Sequence, residues 1–119
     1  MKFICLRYQD RNLWGALDEG GRRALRRDCE SFDASLQASG HLAPCARISC
    51  SGEAIGLSRY QGQLMVRDES GTTAHDFLEG LMFLEARDLN HAILLISDHP
   101  GINFGWFMIH PTIEEGRSQ

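Results

Sequence analysis

The chain has 119 residues, 43% hydrophobic and 24% charged, a composition that fits one folded domain over residues 1–119 and is far from that of a disordered chain. Its formal charge of -4 argues against a dedicated nucleic-acid binder, which carries a basic surplus to displace counterions. No apolar run approaches the roughly 20 residues that cross a bilayer, and Met1–Tyr8 is too soon charged for a secretory leader, so a cytoplasmic protein with no membrane partner is expected.

Residues 2–8 read as a first strand, ended by Gln9-Asp10-Arg11-Asn12. Leu13–Leu17 suggests a helical turn that leads to a longer helix starting near Asp18, whose carboxylate can accept orphan backbone N–H groups. Leu25, Cys29, Phe32 and Leu36 then recur at helical spacing, and Gly40 supplies a left-handed stop. Leu42–Ser49 has room for a short strand interrupted by Pro44. Residues 55–60 and 63–67 flank Gln61-Gly62 as a hairpin, with one wet face and an edge position expected. After a loop at Glu69–Thr73, Phe77–Glu85 reads as a strand. Asp88 caps a second helix carrying Leu89, Ala92, Ile93 and Ile96, which Pro100-Gly101 ends, and Gly105–His110 forms the last strand before Pro111. The order is β-α-β, hairpin, β-α-β, the plan of a ferredoxin-like α+β fold with an antiparallel sheet.

Side chains alternate across a strand. In Phe77–Glu85, Leu78, Met82 and Leu84 are expected on one side and Phe77, Leu81 and Phe83 on the other. Trp106 and Met108 oppose Phe107 and Ile109, and Phe3 and Cys5 oppose Ile4 and Leu6. Two helices cover one face of such a sheet. Leaving the other wet forgoes about 1.5–3 kcal/mol for each large apolar side chain. A homodimer is the expected cover, with the hairpin folding across that face as the competing explanation.

Val66–Gly71, Leu78–Glu85 and Asp88–Ala92 resemble the YCII-related superfamily, particularly its DGPF-domain branch. Met1-Lys2-Phe3 with Tyr8, the Trp14 segment, Ser39-Gly40 and His99-Pro100-Gly101 fit the same pattern in order. The resemblance implies a dimeric α+β barrel built from ferredoxin-like subunits. It also implies small-molecule chemistry by a His/Asp pair in some members, and gene neighbourhoods with alternative sigma factors that would suit a regulatory interaction protein. Here Asp68-Glu69-Ser70-Gly71 stands where the branch carries its tetrapeptide, and Gly20-Gly21-Arg22-Arg23 where relatives carry a histidine early in the first helix.

Asp98-His99 is the sharpest cluster, an imidazole beside a carboxylate suited to acid/base work, and these two are the candidate catalytic residues. His75-Asp76 borders a loop and is a lesser candidate. Arg7, Trp14, Asp68 and His110 are candidate binding residues. Arg7 shares a face with Phe3 and Cys5, where a charge is costly unless it caps the edge or meets an anion. His110 shares a face with Trp106 and Met108. Arg22, Arg23, Arg26 and Arg27 are expected on a solvated face with partners such as Asp28 and Glu30. All four cysteines are expected to be reduced, Cys5 and Cys29 within core elements. His41, Cys45 and Cys50 match no closed zinc spacing, so neither metal nor cofactor is expected. The leading expectation is a dimer that binds a small organic molecule beside the sheet. The alternative is a lyase, isomerase or hydrolase with a histidine acid/base.

Overall fold

A computed structural model describes residues 1–43, 54–68 and 76–113. The elements run β1 (Lys2–Asp10), α1 (Arg11–Gly15), α2 (Glu19–Ala38), β2 (Leu42–Ala43), β3 (Ile55–Tyr60), β4 (Gln63–Asp68), β5 (Asp76–Glu85), α3 (Leu89–Ser97), a 3-10 turn (Pro100–Phe104) and β6 (Gly105–Pro111). The fold is α+β. One antiparallel sheet has the order β2-β5-β1-β6, and β3 and β4 pair with each other as a second, two-stranded sheet.

Local chemistry sets the boundaries. Asp10 caps α1, its Oδ1 accepting from the backbone N–H groups of Asn12 and Leu13, so the short helix begins four residues after Arg7 and earlier than Leu13. Asp18 caps α2 by accepting from Gly21 N–H at 2.7 Å. At the other end Gly40 takes φ +82° while Gly40 and His41 donate back to the Gln37 and Leu36 carbonyls, the paired closure that left-handed glycine permits. Asp88 caps α3 through His91 N–H.

The core lies on one side of the four-stranded sheet. Phe3, Cys5, Met82 and Leu84 point into it, Leu36 of α2 and Ala92 and Ile96 of α3 meet them, and Phe32, Phe107 and Ile109 close its margin. Among the described residues the opposite side has no such cover. Register places Ile4, Leu6, Tyr8, Leu81, Phe83, Trp106 and Met108 there, with Phe83, Trp106 and Met108 exposed by 45%, 39% and 44%. Tyr8 and Trp106 stack on it with ring centroids 5.2 Å apart.

Two expectations change. Leu78 does not share a side with Met82 and Leu84. Arg7 pairs with Gly80 and Tyr8 with Leu78, which leaves Glu79 as an extra residue in β5, and this bulge moves Leu78 to the open side with Tyr8. The hairpin does not shelter the open face either, because Ile55, Leu57, Leu64 and Val66 are themselves 56–67% exposed. The strand expected over Leu42–Ser49 is present at Leu42–Ala43, and its remainder lies outside the described residues, as do Cys45, Cys50 and His75. No described helix is long and apolar enough to cross a membrane.

Candidate functional site

The polar residues of the helix-covered side converge at one end of the sheet. Arg7 continues the inward row of Phe3 and Cys5 on β1, and the bulge in β5 turns Glu79 toward it. Arg7 Nη2 lies 3.3 and 3.4 Å from the two Glu79 oxygens and donates to Cys29 Sγ at 3.4 Å. The side chains are only 13% and 10% exposed, so the carboxylate answers the desolvation cost of the guanidinium. Of the two roles open to Arg7, the geometry gives the second, and the anion it meets is Glu79 of its own chain.

His99 is the second member. It is 1% exposed, with Phe32 and Phe107 rings 4.9 and 4.8 Å from its own. Its Nδ1 accepts the Gly101 N–H at 3.0 Å, which fixes the proton on Nε2, and Nε2 donates to Asp33 Oδ1 at 2.9 Å. The carboxylate that His99 meets is thus Asp33, one turn beyond Cys29 on α2, and not its sequence neighbour Asp98, which is exposed at the end of α3. Gly101 joins the two members. A Cβ there would stand 3.2 Å from both Arg7 Nε and His99 Nδ1, so glycine lets the 3-10 turn pass between them.

Asp33 opens on a small cleft of about 30 Å³, also lined by Arg7, Trp14, Arg26, Cys29 and Glu79. That volume holds about one water-sized group. Trp14 forms its outer wall. The Arg22 and Arg26 guanidinium groups lie 5.6 and 5.9 Å from the Trp14 ring centroid, and Arg22 Nε donates to the Trp14 carbonyl at 3.3 Å. The arginine face of α2 is therefore divided: Arg22 and Arg26 hold Trp14, while Arg23 lies in solvent 3.9 Å from Glu19. Cys29 is a poor nucleophile here, since burial raises its pKa and outweighs the lowering effect of Arg7.

Arg7, Trp14 and His99 thus come together, and the other candidates do not join them. His110 faces outward on the open side opposite Ile4, and Asp68 ends β4 opposite Ile55. Asp33, Glu79 and Cys29 were not anticipated as site residues. Asp33 carried a signal, a carboxylate at i+4 from Cys29 and beside Phe32 on the inward stripe of α2. Glu79 carried none, because strict alternation points it away from Arg7. A larger, open groove of about 770 Å³ lies at the far end of the sheet, lined by Ile4, Ala43, Phe83 and Ile113 among others, and contains none of these polar groups.

The model of the YCII-related domain matches residues 1–115. The chain belongs to the YCII-related family. No curated protein matches the sequence. Within this YCII-related chain the His–Asp contact joins the turn after α3 to α2, so two distant segments supply it.

Proposed function

We propose that this YCII-related protein is a homodimer that binds a small organic molecule through the Asp33 cleft. The carrying observation is the Asp33–His99 pair: a fully buried imidazole holds one oxygen of a carboxylate that is 29% exposed and faces a cleft. His99 has both nitrogens engaged and no path to a ligand, so it positions Asp33 and does not itself touch what binds. Asp33 Oδ2 is left to accept a hydrogen bond, and Arg26 and Trp14 offer a cation and a flat apolar wall. That combination suits a small planar molecule bearing a hydroxyl or acidic group, with only its polar tip entering the cleft.

The subunit reading is ferredoxin-like. The order β2-β5-β1-β6, with β5 between two parallel strands β1 and β2, supports it, and so does the placement of α2 and α3 on one face. The bare, aromatic second face supports closure of two such sheets into a dimeric α+β barrel.

Isothermal titration with a panel of hydroxylated aromatic acids tests the binding. Asp33→Asn and Trp14→Ala are expected to weaken the best ligand about tenfold or more, the effect of one hydrogen bond or one stacked ring. Binding that survives both substitutions unchanged would remove the cleft from the reading. A second reading is favoured by the same pair: a carboxylate steadied by an imidazole can take a proton from a bound hydroxyl, making Asp33 the acid/base of an isomerase, lyase or hydrolase. Turnover lost in Asp33→Asn with ligand affinity retained would favour it.

A further inference from the structure

The Asp33 cleft holds the tip of a ligand and not its body. Its volume of about 30 Å³ takes one polar group, so the remainder of a bound molecule has to lie outside it. Arg26 and Glu30 of its wall also line a second, open hollow of about 420 Å³, whose other lining residues are Gly20, Arg23 and Arg27. That volume falls in the usual range for small-molecule sites. The two hollows run on from one another along α2, with Arg26 at the junction and Trp14 beside it.

The charge of the second hollow is opposite to that of the chain. The protein carries a formal charge of -4, yet Arg22, Arg23, Arg26 and Arg27 are gathered within two turns of one helix. Residues three or four apart on a helix are neighbours, so Arg23 meets both Arg26 and Arg27, and like charges at that spacing repel. Arg22 turns away to donate to the Trp14 and Gly15 carbonyls. Arg23, Arg26 and Arg27 line the hollow, with Glu30 as the one acidic group among its described lining residues, which leaves two positive charges in excess. Glu19 does little to offset them, since it stands 3.9 Å from Arg23 with both side chains mostly in water. Asp18 is engaged at the Gly21 N–H, so the attraction for an anion comes from the guanidinium groups and not from the helix end.

We propose that the arginine hollow binds the phosphate of a phosphorylated small molecule whose other end enters the Asp33 cleft. The proposal rests on the Asp33 reading above and adds the ligand's charge and length to it. A phosphate monoester carries close to two negative charges at neutral pH, which matches the excess. Planar guanidinium forks meet its oxygens pairwise. A bound dianion also relieves the repulsion among Arg23, Arg26 and Arg27. Arg26 and Asp33 are seven residues apart on α2, about 10 Å along the helix axis. One aromatic ring with a short hydroxyl-bearing arm, lying against Trp14, covers that span from phosphate to hydroxyl.

NMR titration of the full chain tests this with 4-(hydroxymethyl)phenyl phosphate and its three fragments: 4-(hydroxymethyl)phenol, phenyl phosphate and inorganic phosphate. The complete probe is expected to bind at least about tenfold tighter than each fragment. In the double variant Arg23→Gln, Arg27→Gln it is expected to fall to the affinity of the phenol, whose own affinity does not change. In Asp33→Asn it is expected to fall to that of phenyl phosphate. A complete probe no tighter than the phenol overturns the arginine site and leaves the Asp33 cleft standing. Failure of both to bind overturns the two together. Inorganic phosphate as tight as the complete probe separates hollow from cleft and overturns the single ligand. Displacement of the probe by a single-stranded oligonucleotide at lower concentration gives the arginines to nucleic acid and overturns the proposal as well. Salt decides the matter on the wild type, independently of how the variants fold. Raising it from about 0.05 M to about 0.5 M is expected to weaken the complete probe severalfold and to leave the phenol unchanged. Equal indifference of the two to salt overturns the phosphate contact.

Discussion

Leu84 and Phe83 are neighbours on β5 and face opposite ways. Leu84 is 2% exposed beneath the helices, and Phe83 is 45% exposed on the other side. Both faces of the sheet carry large apolar side chains, yet among the described residues one is a finished core and the other is bare. Hydrophobic alternation therefore specifies how much surface must be covered, while the supply of cover depends on connectivity, and α2 and α3 both cross on one side. The polar cluster follows the same division. Arg7, Glu79, Asp33 and His99 all lie on the helix side, where a low dielectric makes each pairing obligatory.

The sharpest test of this contrast is truncation on the two sides. Leu84→Ala is expected to cost about 2–5 kcal/mol in urea unfolding, the usual cost of a core cavity, at any protein concentration. Phe83→Ala is expected to cost less in the isolated subunit and to act mainly through assembly, so its penalty grows as protein concentration rises from dilute to dimeric. Equal, concentration-independent penalties would mean that the second face is covered within the chain.

A smaller effect separates the sides by pH. Burial, reinforced by the Asp33 charge, pushes the Cys5 thiol from its ordinary value near 9.0 up to about 12. A raised value means the fold favours the neutral thiol. The associated stability is complete below about pH 9, where the unfolded chain is also protonated, and is lost as pH rises toward about 12. The wild type should therefore lose stability over that window more steeply than Cys5→Ala, which starts about 1 kcal/mol weaker at neutral pH. Parallel curves for the two proteins would show that Cys5 does not contribute.

Much of the fold was legible because its signals are local. Asp18, Gly40 and Asp88 mark helix ends by chemistry that acts within a few residues, and Gln61-Gly62 marks its turn the same way. The inward position of Arg7 followed from its parity with Phe3 and Cys5. The site was only half legible. His99 stood out, but its partner was sought next door at Asp98, whereas the fold brings Asp33 from 66 residues away. Trp14 was noted without the arginines that hold it. A register shift has no local signature, so neither the role of Glu79 nor the outward turn of Leu78 was readable.

That extra residue has a consequence for comparing sequences. It divides β5 into two stretches of opposite phase, one from Gly80 onward and one up to Leu78. A relative that lacks the inserted residue would keep strict alternation through this point and would have no acidic group there to face the inward row of β1. Its residue at the Arg7 position would then have lost its counter-ion, and an uncharged side chain is the expected companion change. The placement of a single alignment gap at Glu79 thus decides whether two members of the family are expected to share this polar cluster.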